Sequence, residues 1–448
     1  MPTVILGGGI IGSATAYYLS ETHPAEDIHI IESSSELFSS ASGYAAGFLA
    51  RDWFGQDVAS LGELSFGLHE SLAVEYGGVE IWGYMKGTAL SYDATIKRGN
   101  GTRGDDWMDR GASRAETASG STLGTGMGAP AWLTVRSGVK VERISDVDTA
   151  QVDPLKLCRF LMNTAISRGV KLHHPARATS LVTDESGTIT GVRIVDLISR
   201  EESMIPCTHL VICAGAWTSR VFGELFPSAQ ISIPVSQLAG YSLVLRSPRH
   251  TLEHEKQTYR GRCHAIFSEN PFSCGFSPEI FSRQGGEIYI AGLNDPDMPL
   301  PGRAEESRSS IDRDEMKRLE AVSVQLMGRI MDEGAAVTEI RNTNDLEVLR
   351  EGLCFRPVSD RGTPVVCKVD DDLLGNGVRT TGHGGVFVAA GHGPWGISLS
   401  LGTGRVVADM VEGVQPRADV IPWMFGIFKV RNLFLSSFIS SKLSHSFP

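Results

Sequence analysis

Thr3-Val4-Ile5-Leu6-Gly7-Gly8-Gly9-Ile10-Ile11-Gly12 follows Met1-Pro2, and its reading decides the fold. Four apolar or β-branched residues read as a short, fully buried strand. Gly7 to Gly9 break it, and Ile10 to Ser20 reads as a helix with Gly12, Ala14 and Ala16 on a close-packing face. Asp27-Ile28-His29-Ile30-Ile31 is a second strand, ending at Glu32. Strand, helix and strand within about 30 residues make a βαβ unit. Gly7-x-Gly9-x-x-Gly12 lies between its first strand and its helix. The first glycine permits the tight turn, the second lets the main chain approach a pyrophosphate, and the third lets helix and strand pack closely. The helix N-terminus offers free N–H groups and the positive end of its dipole to the phosphates. Glu32 stands where a carboxylate accepts both ribose hydroxyls and repels a 2′-phosphate.

NAD and FAD share this opening. Two further features favour FAD. The small-residue stretch Ser42-Gly43-Tyr44-Ala45-Ala46-Gly47 is placed to lie under the pyrophosphate and ribityl chain. Near the C-terminus, Gly391-His392-Gly393-Pro394-Trp395-Gly396-Ile397 leads into a helix with Gly402-Thr403-Gly404. Glycines between strand and helix let main-chain atoms touch a flat ring. The helix end places positive potential near the flavin's pyrimidine carbonyl.

Outward from these motifs, Leu61 to Tyr76 reads as a helix, as does Leu155 to Arg168 after Val152-Asp153-Pro154. Ser180-Leu181-Val182, Thr188-Ile189-Thr190 and Val192-Arg193-Ile194-Val195 read as hairpin strands. His209 to Cys213 and Gly385 to Ala390 are buried strands. Residues 231 to 295 read as mostly β, Ile311 to Glu333 as a polar helix, and Leu401 to Val411 as the last helix. The Gly/Ser/Thr/Arg-rich stretch 97–130 is too long for an ordinary connection, so it is either mobile or functional. Nucleotide-like pieces at both ends and in the middle predict an α/β fold with a discontinuous Rossmann-like domain. Residues 1–50, 145–225 and 350–432 form the FAD-binding domain in this reading. Residues 51–144 and 226–349 form a mainly antiparallel substrate domain, and 433–448 are a tail.

The chain has 448 residues, of which 42% are hydrophobic and 21% charged, which excludes global disorder. A formal net charge of −11 makes it a poor binder of nucleic-acid backbones. Its seven cysteines contain no C-x-x-C pair, which removes the usual zinc-ribbon and thioredoxin spacings, and no metal site is expected. Scattered thiols fit a reducing compartment. No signal peptide or transmembrane segment is read, and Lys429 and Arg431 interrupt the apolar run Ile421 to Phe438. Ser441-Lys442-Leu443 is followed by five more residues, so it is not read as a peroxisomal signal, and the expectation is cytoplasmic.

Taken together, Gly7 to Ala14 with Ala16-Tyr17-Tyr18-Leu19, Glu32 and Ala45-Ala46-Gly47 resemble the D-amino-acid oxidase and glycine oxidase superfamily of FAD-dependent oxidoreductases. Val211-Ile212-Cys213-Ala214-Gly215-Ala216-Trp217-Thr218 is similar to that family's middle signature, and Ala389 to Ile397 to its closing one. Cys354-Phe355-Arg356-Pro357-Val358-Ser359-Asp360-Arg361-Gly362-Thr363-Pro364 resembles a glycine oxidase segment. The Gly-His-Gly-Pro-Trp-Gly-Ile form is similar to a fungal branch.

The resemblance implies an oxidase of the C–N bond of an amine or amino acid. Hydride passes to FAD, and O2 reoxidises the flavin to give H2O2. Implied cofactor contacts, with Gly7, Gly9 and Gly12, are Ile10, Ile11, Glu32, Ser33, Ser42, Ala46, Gly47, Phe48, Ala178, His392, Gly393, Pro394, Trp395, Gly396, Ile397 and Ser398. Arg356 matches the arginine that holds the substrate carboxylate, and a planar guanidinium suits that work. A salt bridge to Asp360 or Glu351 is the other reading of it. Cys354 falls where sarcosine and fructosyl-amine oxidases bond the flavin covalently, and a small core residue is the other reading. His392, if cationic, would assist oxygen reduction, and Trp395 would wall the substrate cavity. The alternatives are a sarcosine- or fructosyl-amine-type secondary amine oxidase, a pathway-specific biosynthetic flavoenzyme, or a regulatory flavoprotein with little turnover. The oligomeric state is left open.

Overall fold

The structure is a computed structural model that describes residues 1–94, 129–136, 138–331, 342–419 and 429–430. Nearly all of the stretch 97–130 and the tail 433–448 with Ser441-Lys442-Leu443 lie outside the described residues. The helix expected over Ile311 to Glu333 is shorter, Arg313–Met327: Gly328 leaves it in extended conformation and Arg329–Ile330 pairs as a strand.

Two sheets organise the chain. The first has six strands in the order Val365–Val369, Gly385–Ala390, His209–Ile212, Thr3–Leu6, Ile28–Ile31 and Lys171–His173. All neighbours are parallel except Val365–Val369, which runs antiparallel to Gly385–Ala390. Thr3–Leu6, His209–Ile212 and Gly385–Ala390 are buried along their whole length. That is why they read as apolar runs and not as alternations. Helix Ile10–Leu19 packs on helices Ser400–Glu412 and Pro154–Arg168. The last of these starts where Asp153 Oδ1 accepts from the Lys156 N–H at 3.1 Å. It ends at Gly169, which has φ +118°.

The second sheet has nine strands and is mainly antiparallel. Its path runs Glu347–Ser359, Val235–Arg246, Glu287–Asp295, Glu279–Arg283, Cys263–Ser268, Met85–Asp93, Thr149–Gln151 and Phe48–Ala50, with Lys140–Ser145 paired to Met85–Asp93. Glu347–Ser359 and Thr149–Gln151 therefore pair here, although the sequence reading put residues after 350 and after 145 with the nucleotide-binding segments. Helix Arg313–Met327 packs on Val235–Arg246 and Glu287–Asp295. A smaller sheet orders Glu202–Pro206, Ile189–Asp196 and Ala176–Thr183. Ile189–Thr190 and Val192–Val195, expected in two strands, lie in one, and Thr188 stays outside it in a bridge to Arg379. Gly191 does not break it, because its residue pairs with Val182 on one side and Pro206 on the other. Among the described residues no helix is long and apolar enough to cross a membrane.

Candidate functional site

A cavity of about 350 Å³ opens where the parallel strands end. Leu6, Ile31, Cys213, Ala389 and Ala390 line it from the carboxyl ends of their strands, where open α/β sheets bind ligands. At its head, Gly7 adopts φ +112°, and a Cβ there would stand 2.5 Å from the Cys213 carbonyl oxygen. Only glycine turns the chain here. The next turn is fixed by side chains. The Gly8 N–H donates to Glu32 Oε2 at 2.8 Å and the Ile10 N–H to Ser42 Oγ at 2.9 Å. Glu32 Oε1 accepts from the Ser34 N–H at 2.7 Å. The Glu32 carboxylate thus holds two turns together while it lines the cavity. The expected pair of ribose contacts has only the remaining lone pairs of these oxygens to use.

Ser33, Ser42, Ala46, Gly47, Phe48 and Ala178 also line this cavity. The loop from Ala45 to Gly47 is tied down by residues the motif reading missed. Arg283 Nη2 donates to the carbonyl oxygens of Ala45 at 2.6 Å and Ala46 at 2.9 Å. Gln151 Nε2 donates to Ala46 O at 2.6 Å, and the Tyr289 hydroxyl to Tyr44 O at 3.0 Å.

The closing run reaches the same cavity through His392, Gly393, Pro394, Gly396 and Ile397. Gly12, Trp395 and Ser398 stand outside the lining. Gly12 is buried in the first turn of its helix. Ser398 Oγ accepts from the Ala50 N–H at 3.0 Å, locking the closing run to strand Phe48–Ala50. Trp395 sits in an aromatic cluster, its ring 4.8 Å from Phe54 and 6.4 Å from both Trp53 and Phe48. It supports Phe48 from behind and is not a wall of the cavity. His392 is buried, which lowers its pKa to about 4, and its Nε2 lies 3.0 Å from Thr403 Oγ1. Its ring is neutral at neutral pH, so the cationic role expected of it is corrected. Two residues of helix Gln56–Tyr76 brace this run from outside: the Ser65 hydroxyl donates to Ser398 O at 2.6 Å, and His69 Nε2 to Ile397 O at 3.0 Å. Burial also lowers His69 to about 4.

At the far end, Cys354 and Arg356 line the cavity from one strand, with Tyr289 and Ala291 two strands along the sheet and Glu279 three. Arg356 Nη1 donates to Asn294 Oδ1 at 2.7 Å. It makes no ion pair among the described residues, and Glu351, one expected partner, is paired with Arg313 at 2.6 Å. Cys354 is buried, and burial raises its thiol pKa against the lowering effect of Arg356 and Arg350. No group of three or more His, Cys, Asp or Glu among the described residues could hold a metal.

The family model for FAD dependent oxidoreductases matches residues 3–410. The chain belongs to that family. FAD dependent oxidoreductases bind FAD, and the glycine turn, the small-residue loop and the closing run all reach the one cavity. The chain is 26% identical over 446 residues to an oxidoreductase of Schizosaccharomyces pombe, covering 93% of this chain and 96% of the relative. It is 21% identical to a Saccharomyces cerevisiae oxidoreductase, covering 93% and 92%. These fungal relatives agree with the fungal form of the closing run. The crystal structure of glycine oxidase from Geobacillus kaustophilus superposes with a TM-score of 0.65 at 20% identity, over 94% of this chain and 97% of that one. That likeness establishes the shared fold.

Proposed function

We propose that this oxidoreductase oxidises the C–N bond of an amine that carries a carboxylate, an amino acid in the broad sense. The observation that carries the reading is Arg356: a guanidinium lining the cavity, oriented by Asn294, with no carboxylate of the protein paired to it among the described residues. A half-buried guanidinium that lines a cavity with no carboxylate beside it offers its planar fork to a ligand's anion. Bound in the cavity, FAD supplies a hydride acceptor that O2 restores with release of H2O2.

Arg356 contributes two parallel N–H donors to the substrate carboxylate. Fixing that end sets the direction of the Cα–H bond, and such orientation is a large part of the rate. Phe48, Tyr289, Cys354 and Ile397 line the same cavity, and an apolar lining of this kind would keep water from the reacting carbon. With His392 neutral and buried, no lining imidazole is positioned as a cationic acid. The reading therefore needs the amine to arrive with its nitrogen lone pair free. The same reading divides the chain between a nucleotide-binding part built on the parallel sheet and a substrate part built on the antiparallel one.

The test is turnover by the FAD-loaded full chain, followed as peroxide release over a panel of amino acids, N-alkyl amino acids and amines without a carboxylate. Carboxylate-bearing amines should be oxidised and their carboxyl-free counterparts should not. Turnover indifferent to the carboxylate, or peroxide from none of the panel, would overturn the proposal.

A further inference from the structure

Arg283 is 5% exposed, and burial pulls its pKa down. Among the described residues it makes no ion pair. Its partners are the carbonyl oxygens of Ala45 and Ala46 and the face of Tyr289, whose centroid is 4.8 Å from the guanidinium carbon. A buried guanidinium held only by neutral groups is costly, and the fold keeps it next to the cofactor loop.

Peptide geometry says what it does there. The units Ala45–Ala46 and Ala46–Gly47 are trans, and in a trans unit C=O and N–H point in opposite directions. Both carbonyls turn toward Arg283, so the N–H groups of Ala46 and Gly47 turn away from it. Neither N–H has a partner among the described residues, and both residues line the cavity, which Arg283 does not. The guanidinium polarises both units, which strengthens the opposite donors.

We propose that Arg283 is a positioning residue for FAD: it clamps two successive peptide units so that the Ala46 and Gly47 N–H groups form a fixed donor pair for the negative charge the flavin ring takes up on reduction. Preorganised main-chain donors of this kind stabilise developing charge without rearrangement. The proposal rests on FAD, which the family supplies, and is independent of which amine is oxidised. The sequence reading set this loop under the pyrophosphate and ribityl chain, so the FAD diphosphate is the other anion such a pair could meet, and the two are separable by experiment.

The test compares wild type, Arg283→Met and Arg283→Lys as FAD-loaded full chains. It reads the two-electron midpoint potential by dye equilibration and the Kd for FAD by flavin fluorescence. Neither measurement needs a substrate. Arg283→Met should disfavour the reduced cofactor by about a hundredfold, a potential ~60 mV more negative. Arg283→Lys keeps the charge but not the fork, and should shift the potential by about half as much. Should the methionine variant fail to fold, the lysine variant alone decides. A lysine variant with an unchanged potential overturns the proposal. So does a variant that loses FAD affinity while its potential stays at the wild-type value, since the pair would then serve the diphosphate.

Discussion

Gly240 makes room for the guanidinium of Arg356: a Cβ at Gly240 would stand 2.7 Å from Arg356 Cζ. The two residues lie on adjacent antiparallel strands, where Arg356 pairs with Leu238 and Gly240 with Cys354. The side chain crosses the bare position to reach Asn294 on the next strand. Gly240→Ala pushes against the far end of a flexible side chain, so its cost falls on the geometry of Arg356 and little on the fold. The melting temperature should move by less than about 4 °C. KM for carboxylate-bearing substrates should rise about tenfold, with the visible flavin spectrum unchanged.

Removing the guanidinium goes further. Arg356→Ala should leave FAD bound and cost about 2–5 kcal/mol in kcat/KM for acidic substrates, as for truncation of one partner of a buried charge pair. Arg356→Lys should recover only part of this, because an ammonium has no planar fork. Amines without a carboxylate should change little. Equal losses for both substrate classes in steady-state kinetics would make Arg356 a structural residue.

Glu32 carries two tasks, since its oxygens already accept from the Gly8 and Ser34 N–H groups. Glu32→Ala therefore frees two backbone donors at the same time as it removes the ribose acceptor. FAD affinity should fall by ~1.5–3 kcal/mol for each charge-assisted bond lost. Titration of flavin-free protein with FAD measures this directly. Glu32→Gln keeps the Oε1 acceptor and should lose less.

How much of this was legible in the sequence follows distance along the chain. The turn from Gly7 to Gly12, the strand to Glu32 and the closing run from Gly391 were readable because each element's signal is contiguous. The supports were not. Asn294 meets Arg356, Arg283 meets Ala45 and Ser65 meets Ser398 only through the register of the antiparallel sheet or the seating of a long helix. Trp395 shows the complementary failure. Its place inside the glycine-rich run suggested a cavity wall, but helix-end geometry turned it into the cluster with Phe54. A two-residue step along a turn decides which side a ring faces, and composition carries no record of that.

Burial of His392 and His69 has a consequence for stability. Both are held at about 4 in the folded protein, below the ordinary histidine value of about 6.5. The unfolded chain therefore binds more protons between these values, and stability falls as the pH drops from about 6.5 toward 4. Each histidine contributes up to about 3 kcal/mol to that loss, on the order of the shift it carries. Urea denaturation of the flavin-loaded protein should show a midpoint nearly flat above pH 7 and falling steeply below pH 6. His69→Gln should flatten part of the fall. No ionisation from His392 should be seen in kcat between pH 6 and 8.

Cys354 tests the attachment of the cofactor. It lines the cavity, and a covalent bond to the flavin would need its thiolate to add to an electron-poor ring carbon. Burial works against that anion, and it outweighs the stabilising charges of Arg356 and Arg350. A buried thiol held in its neutral form is a small apolar residue. Acid precipitation should therefore release the yellow colour into the supernatant, and Cys354→Ala should keep both the colour and its release. Colour that remains with the wild-type pellet and leaves it in Cys354→Ala would establish the covalent bond and show that the bound ring itself lowers the thiol.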